Sequence, residues 1–204
     1  MKESIYNASF EELKSFFIDL NEKAFRADQL WNWIYVKGIN KLEIINNISA
    51  KVMKKVDSKY HISHFSVSKK VISKDGTRKW LFKLEDGKEL ETVYIPDNNR
   101  GTICVSSQVG CTLSCSFCHT GTMKFKRNLN VSEILGQVMY VKNELQDWNQ
   151  KGNKKKITNL VFMGMGEPFF NYDNVIKAIN ILTNMKGLAF SKRKITLSTS
   201  GVVP

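Results

Sequence analysis

Three cysteines lie within eight residues of one another, as Cys111, Cys115 and Cys118 in a CxxxCxxC pattern. Thiolates at this spacing can each bind a different iron of one four-iron cluster. Three protein ligands leave the fourth iron open to a chelating molecule. In this pattern that molecule is S-adenosylmethionine, which binds through its amino and carboxylate groups. The loop therefore predicts radical chemistry that begins with one-electron cleavage of the sulfonium.

A zinc ion is the alternative for the same thiols. Cys104 or His119 would complete a tetrahedron with the three cysteines of the loop. Structural zinc sites usually combine two separate pairs of ligands on facing elements, whereas here all three thiols share one short segment. The spacing therefore favours the iron–sulfur cluster, and a zinc-bearing, non-catalytic RNA-binding module is the alternative function.

A second motif, Gly164–Pro168, follows a predicted strand at residues 160–163 and reads GMGEP. Its two glycines would let a ligand approach the backbone, and Glu167 could accept a hydrogen bond from an ammonium group. The motif is neither a Walker loop nor a dinucleotide fingerprint. An ordinary glycine turn is the competing interpretation. Its place after a CxxxCxxC loop and one helix favours binding of the amino group of S-adenosylmethionine.

Helical periodicity marks residues 1–60. Ser9 followed by Glu12 predicts a capping box at the start of a first helix. A second helix carries an apolar face from Ala27 to Tyr35, and a third is expected to start at Ser49. We therefore expect residues 1–60 to form a helical accessory domain.

Strand patterns replace the helical ones from about residue 65 onward. Asp75-Gly76 and Asp86-Gly87 each lie between alternating apolar runs and predict two hairpin turns. The inward face of this region is expected to carry Trp80, Phe82 and Leu84. We expect residues 61–100 to form a β-hairpin linker region.

Helices and strands alternate in residues 101–204. Helices are predicted at 132–148 and from near Asp173 to Gly187, and strands at 157–163 and 194–199. Strands joined by crossover helices imply a parallel sheet and an α/β fold. Loops at the carboxyl ends of such strands are where α/β barrels and doubly wound sheets place their chemistry.

Positive charge is concentrated in the second half of the chain. The formal net charge is +12, and residues 101–204 carry 13 basic and 5 acidic side chains. Such an excess attracts a polyanion such as RNA or DNA, although a lysine-rich composition can also serve solubility alone. Lys154–Lys156 and Lys192–Lys194 are candidate phosphate contacts, but charge runs of this kind are usually solvated faces.

The sequence contains neither a membrane-spanning stretch nor a secretory signal. No segment approaches the roughly 18 consecutive apolar residues of a membrane helix, and the first residues lack the order of a signal peptide. We therefore expect a globular cytoplasmic protein. In that reducing compartment, cysteines serve as metal ligands or catalytic thiols more often than as disulfides.

The motifs resemble those of the RlmN family of radical-SAM RNA methyltransferases. The strings that carry the resemblance are Glu91–Pro96, Cys104–Cys111, the cysteine triad, Arg127–Leu129, Val131–Ile134, Gly164–Pro168 and Ser198–Pro204. Phe25–Trp31 is similar to the family's N-terminal accessory domain. The resemblance implies a partial radical-SAM (βα) barrel, a truncated TIM-like parallel sheet, preceded by the helical domain and the hairpins. It also implies methylation of adenosine C2 in 23S rRNA and tRNA, whereas a sister group acts at C8.

The resemblance also implies cofactors, partners and residue roles. The cofactors would be a 4Fe-4S cluster and S-adenosylmethionine, and the partners 23S rRNA, tRNA and a flavodoxin-type reductant protein. The cluster ligands would be Cys111, Cys115 and Cys118, and the S-adenosylmethionine contacts Gly166, Glu167 and Ser198. Glu91 would be the proton acceptor, and Cys104 would release a covalent RNA adduct through a transient disulfide. From the residues alone, Glu91 is better explained as a solvated edge carboxylate and Cys104 as a small buried hydrophobe.

One family feature has no counterpart among these 204 residues. The family's methyl-carrying cysteine lies far downstream, near the end of a longer chain. We expect this chain to be part of a longer protein, or to be completed by a second polypeptide, and its sheet to have an unpaired edge. We also expect that the 204-residue polypeptide alone does not methylate RNA.

Overall fold

Helices and two short strands form the amino-terminal part of the molecule, in a computed structural model that describes residues 2–148 and 155–202. In chain order these elements are β1 (Glu3–Ser4), α1 (Phe10–Asp19), α2 (Phe25–Tyr35), α3 (Ala50–Lys59) and β2 (Tyr60–His61). Strands β1 and β2 pair in parallel. The Ser9 hydroxyl accepts a hydrogen bond from the Glu12 N–H, and the Glu12 carboxylate accepts one from the Ser9 N–H. The three predicted helices and the capping box are confirmed.

Six strands of the remaining chain form one mixed sheet. The further elements are β3 (Ser66–Ile72), β4 (Arg78–Lys83), β5 (Glu89–Asp97), β6 (Arg100–Cys104), β7 (Gln108–Val109), β8 (Arg127–Asn128), α4 (Val131–Leu145), β9 (Asn159–Phe162), α5 (Tyr172–Thr183) and β10 (Ile195–Leu197). The strand order is β10-β9-β6-β5-β4-β3, with β10, β9 and β6 parallel and the others antiparallel. The predicted hairpins therefore continue the parallel sheet. The domain boundaries at residues 60 and 100 stay predictions.

Helix α4 covers one face of this sheet. Tyr140 of α4 contacts Trp80 and Phe82 of β4, with ring centroids 6.3 and 4.8 Å apart. Side chains on that face are fully buried, among them Trp80, Phe82, Leu90, Ile103 and Leu160. The predicted inward face of the hairpins is thus confirmed.

The opposite face of the sheet is more open. Val93, Cys104 and Val161 are aligned across β5, β6 and β9, and each is half-buried. At the edge, β10 pairs with β9 alone in the part of the chain that the structure describes. Its residues are exposed or half-buried, as the prediction of an unpaired edge requires.

Helix α4 spans Val131–Leu145, which is shorter than the predicted 132–148. Asn130 forms the N-cap, because its side-chain oxygen accepts a hydrogen bond from the Glu133 N–H and the Glu133 carboxylate accepts one from the Asn130 N–H. The helix ends because Gln146 adopts a left-handed conformation with φ of 53°. Across the described ranges, each helix is too short or too polar to cross a membrane.

The amino-terminal helices pack against the α/β part through specific contacts. The Asn7 side chain accepts a hydrogen bond from the Ser132 N–H at 2.7 Å, at the start of α4. Lys177 of α5 forms an ion pair with Glu12 at 2.8 Å. Trp31 lies so close to Gly187 that a Cβ there would be 2.5 Å from the indole nitrogen. These contacts fix the helices beside α4 and α5.

Candidate iron–sulfur and cofactor site

The carboxyl ends of β6, β9 and β10 lie at one edge of the sheet because these strands are parallel. The cysteine loop, residues 110–126, follows β6 and β7. The GMGEP loop, Gly164–Pro168, follows β9, and residues 198–202 follow β10. The structure therefore brings the three predicted functional segments to the same edge.

Two short strands close the cysteine loop at its base. Gln108 pairs with Asn128, and Val109 pairs with Arg127, in the antiparallel ladder of β7 and β8. Gly110 adopts a φ of +74°, and a Cβ at this position would lie 2.3 Å from the Lys124 carbonyl oxygen. A glycine is therefore required where the two arms of the loop meet.

The three thiols of the loop are free and half-buried. The Cys118 N–H donates a hydrogen bond to the Cys115 carbonyl at 3.1 Å, and the Cys111 N–H donates one to the Met123 carbonyl at 3.4 Å. Three accessible thiols on one closed loop are a donor set that suits a four-iron cluster with one open iron.

A zinc site would need several side chains to converge on a single ion. Among residues 2–148 and 155–202, no group of three or more His, Cys, Asp and Glu side chains is arranged to hold a metal ion. A tetrahedral zinc needs its ligands to converge on one point, whereas a cubane cluster accepts each thiolate at a different iron. In the zinc alternative, Cys104 or His119 would have to converge on one ion with the three thiols of the loop.

Backbone hydrogen bonds join the GMGEP loop to the segment that leads into the cysteine loop. The Met165 carbonyl accepts hydrogen bonds from the N–H groups of Ser107 and Gln108, at 2.9 and 3.1 Å. The Gly164 N–H donates to the Val105 carbonyl, and the Glu167 N–H donates to the Gln108 side chain. The two loops are therefore held together as one unit.

The glycines of this motif allow close packing of the protein itself. A Cβ at Gly164 would lie 2.7 Å from the Ser106 hydroxyl, and one at Gly166, whose φ is +95°, would lie 2.4 Å from the Gln108 Cβ. The space beside both glycines is thus filled by the neighbouring segment. Their lack of a side chain serves close packing of the two loops, and a role of Gly166 in cofactor binding stays a prediction.

Glu167 is 4% exposed, and its carboxylate is hydrogen-bonded to two loops. One oxygen accepts from the Phe169 N–H at 3.1 Å, and the other accepts from the N–H and hydroxyl of Ser200 at 2.9 and 3.2 Å. Burial alone would raise the pKa of this carboxyl, but the hydrogen bonds, including one from Thr199, hold its pKa below the usual value. Glu167 therefore stays ionised and ties the β9 loop to the β10 loop.

Glu91 and Cys104 share the open face of the sheet. Cys104 pairs with Val93 across the strands, and Glu91 lies two residues before Val93 on β5. The Glu91 carboxylate is 45% exposed and forms an ion pair with Lys79 at 3.0 Å. Burial raises the pKa of the Cys104 thiol, so this side chain is protonated near neutral pH. Ser198 is exposed just beyond β10.

Two family models match most of the chain. A ribosomal RNA large subunit methyltransferase N-terminal domain matches residues 4–62, and the radical SAM superfamily matches residues 105–204. The dual-specificity RNA methyltransferase RlmN of Rhizorhabdus wittichii is 48% identical over 187 residues, which is 92% of this chain and 46% of that protein. This chain belongs to the RlmN family.

Further relatives extend the match over the whole chain. The dual-specificity RNA methyltransferase RlmN of Gluconobacter oxydans is 45% identical, and the match covers 100% of this chain and 51% of that protein. A crystal structure of a radical SAM methyltransferase from Sphaerobacter thermophilus superposes with a TM-score of 0.88 at 33% identity, covering 99% of this chain and 58% of that one. The chain thus spans about half the length of the curated relatives it matches.

A buried polar pair in this RlmN-family chain was missed by the sequence analysis. The Gln137 amide oxygen accepts hydrogen bonds from the Ser106 N–H and the Thr92 hydroxyl, both at 2.8 Å, and its nitrogen donates to the Ser106 carbonyl at 3.0 Å. The Ser106 hydroxyl donates to the Glu91 carbonyl at 2.6 Å and accepts from the Met165 N–H at 2.9 Å. A polar residue within the apolar stripe of α4 was the available signal.

An arginine at the base of the cysteine loop, Arg127, forms ion pairs that the sequence did not indicate. The Arg127 guanidinium donates two hydrogen bonds to the Glu133 carboxylate, both at 2.8 Å, and one to Asp86 at 2.7 Å. The loop is thereby fixed to α4 and to the second hairpin turn.

The two predicted phosphate-binding lysine runs do not join this site. Lys155–Lys156 and Lys192–Lys194 precede β9 and β10, so they lie at the amino-terminal edge of the sheet, opposite the cysteine loop. The Lys156 ammonium donates a hydrogen bond to the Leu145 carbonyl at 2.6 Å. Lys154, like Val203 and Pro204 of the last motif, lies outside the described residues.

Proposed function

We propose that this chain is the cluster-binding and cofactor-binding part of an enzyme that methylates C2 of adenosine in 23S rRNA and tRNA. The observation that carries the proposal is the closed CxxxCxxC loop, which is hydrogen-bonded through residues 105–108 to the GMGEP loop at the carboxyl edge of the sheet. The names of the curated relatives, dual-specificity RNA methyltransferases, support the substrate class.

Cys111, Cys115 and Cys118 would hold a 4Fe-4S cluster. With S-adenosylmethionine bound beside it, a reduced cluster would supply the electron that cleaves the sulfonium. The chain's own part is geometric. The β7–β8 ladder fixes the ends of the loop, and Arg127 fixes that ladder to the rest of the protein.

Gly166, Glu167 and Ser198 would contact S-adenosylmethionine. Their placement at the ends of β9 and β10, beside the cysteine loop, supports this role. An ionised Glu167 would attract the ammonium group of the cofactor, since a carboxylate has about four acceptor positions. Its present donors are Phe169, Thr199 and Ser200, so the cofactor ammonium would take the place of one of the two hydroxyl donors.

Glu91 and Cys104 would act on the RNA. Glu91 has an accessible carboxylate on the open sheet face, where it could accept a proton from a bound adenosine. Cys104 is kept as a thiol by burial, and the proposed transient disulfide would require its deprotonation during the reaction.

A flavodoxin-type protein is the proposed reductant, and the cytoplasm is the proposed location. We also propose a helical accessory domain over residues 1–60, a hairpin region over 61–100 and the radical-SAM core over 101–204.

Anaerobic reconstitution with iron and sulfide tests the proposal. The chain should bind about four irons and absorb broadly in the visible range, and S-adenosylmethionine should change the electron paramagnetic resonance spectrum of the reduced cluster. Replacing Cys111, Cys115 and Cys118 by alanine should abolish iron binding, whereas Cys104→Ala, the matched control, should retain it. Zinc in place of iron, or iron retained by the triple variant, would disprove the assignment.

A further inference from the structure

The segment Met123–Lys126, here called the rim strip, is fixed directly beside the first cysteine of the loop. The Met123 carbonyl accepts a hydrogen bond from the Cys111 N–H, and the Lys126 N–H donates to the Val109 carbonyl at 2.9 Å. The Lys124 carbonyl packs against Gly110, at a distance that excludes any side chain there. The rim strip is thus held in place before any ligand binds.

Two lysines of the rim strip carry positive charge that the protein does not neutralise. Lys124 and Lys126 are exposed, and neither forms an ion pair with any acidic side chain in the described ranges. The adjacent Arg127 differs, because Asp86 and Glu133 both pair with it. The rim strip therefore carries two positive charges that are available to an anion.

Two large apolar side chains of the rim strip are also exposed. Phe125 is 41% exposed and Met123 is 44% exposed. Met123 has extended backbone angles, and Lys124 forms a β-bridge with Cys111. All four side chains of the strip are exposed, so it presents two ammonium groups, an aromatic ring and a thioether to solvent.

We infer that the rim strip is a docking surface for single-stranded RNA, with Lys124 and Lys126 contacting phosphates and Phe125 stacking on a base. The inference rests on the proposed function, which makes RNA the substrate. Charged groups that follow a nucleic-acid backbone and aromatic rings that stack on unpaired bases are the two components of single-strand recognition. Unpaired loops expose bases for stacking, whereas a duplex does not. RNA bound here would present a splayed base next to Cys111.

Fluorescence anisotropy with a labelled RNA hairpin, whose loop contains an unpaired adenine, tests the inference on the full 204-residue chain with its cluster reconstituted. Affinity is measured from about 50 to 200 mM KCl, because each single-strand phosphate contact adds about 0.7 to the slope of log K against log salt. Lys124→Gln with Lys126→Gln should lower that slope by about 1.4. The matched control, Lys192→Gln with Lys194→Gln, removes the same charge at the opposite edge and should leave the slope nearly unchanged.

The aromatic contact has its own readout. Phe125→Ala should weaken hairpin binding by about tenfold or more, with the salt slope unchanged and with little effect on binding of a fully paired duplex. Phe25→Ala, which removes a similarly exposed ring from α2, is the control. Equal losses in the rim and control variants, or full affinity in Phe125→Ala, would overturn the inference while leaving the proposed function intact. Failure of the unaltered chain to bind RNA at all would instead contradict the proposed substrate.

Discussion

Glu167 is a buried carboxylate whose charge is stabilised by donors from its own loop and from the loop after β10. Glu167→Gln keeps the shape but replaces one acceptor oxygen by a donor that faces N–H groups of Phe169 or Ser200. Leaving buried donors unsatisfied costs about 1–3 kcal/mol. We therefore expect a lower midpoint of thermal unfolding at neutral pH, measured by circular dichroism.

The same carboxylate predicts a pH dependence. The pKa of Glu167 is lowered from 4.5 in the folded state, so its stabilising contribution is fully present above the unfolded pKa and is lost as pH falls through the folded pKa. The difference in unfolding midpoint between the native chain and Glu167→Gln should shrink as pH falls below about 4. Glu11→Gln, at an exposed position of α1, is the control. A difference that is constant with pH would contradict this account.

At the scale of elements, the cysteine loop depends on one glycine where its arms meet. Gly110→Ala places a Cβ 2.3 Å from the Lys124 carbonyl oxygen and also requires a positive φ. We expect this variant to fold with a distorted loop and to bind much less iron after reconstitution, measured by iron analysis.

Gly87→Ala is the matched control for this loop. Its φ of +78° imposes the same backbone strain, about 1–2 kcal/mol, but nothing lies within 4 Å of the new Cβ. It should lose stability without losing iron. Equal iron contents in the Gly87 and Gly110 variants would show that the close approach does not shape the site.

The hydrogen bonds of Ser106 connect the end of β6 to β5 and to the loop after β9, which carries the proposed cofactor contacts Gly166 and Glu167. Ser106→Ala removes the donor to the Glu91 carbonyl and the acceptor for the Met165 N–H. We expect iron content to be retained but S-adenosylmethionine to bind about 10- to 100-fold more weakly, as measured by spectroscopic titration of the reduced cluster.

Ser107→Ala provides the comparison for Ser106. Ser107 is equally buried, yet its hydroxyl has only a 3.5 Å contact with the Met165 carbonyl. Cofactor affinity should change little in this variant. If both variants lose stability and affinity to the same extent, Ser106 has a general packing role and does not position the GMGEP loop.

Local signals made many elements predictable. The Ser9 capping box and the glycine turns depend on residues close in sequence, and each motif-bearing loop follows a recognisable strand. The links between the loops could not be predicted. Gln137 is hydrogen-bonded to Ser106, 31 residues away in sequence, and Glu167 to Ser200, 33 residues away. Nothing in these spacings indicates which partner the fold will bring near. The predicted end of α4 was three residues too late, because the sequence did not indicate the left-handed conformation of Gln146.

At the scale of the whole molecule, the two edges of the sheet differ in the groups that they carry. The net charge of +12 includes lysines at both edges of the sheet, but only the carboxyl edge carries the cysteine loop. The open sheet face next to that edge holds Glu91 and Cys104, both only partly shielded from solvent. Reactive intermediates generally need a site from which water is excluded, so under the proposed function this face would need a cover during catalysis.

The 204-residue polypeptide should therefore bind the cluster and RNA but not methylate RNA. The curated relatives are about twice as long, and the proposed residues Glu91 and Cys104 lie on a face that is open in this chain. The test is anaerobic incubation with RNA, a reductant and methyl-labelled S-adenosylmethionine, followed by mass spectrometry of the nucleosides. The longer relative from Gluconobacter oxydans serves as the positive control. Methyladenosine formed by the 204-residue polypeptide alone would show that the open face already suffices for the chemistry.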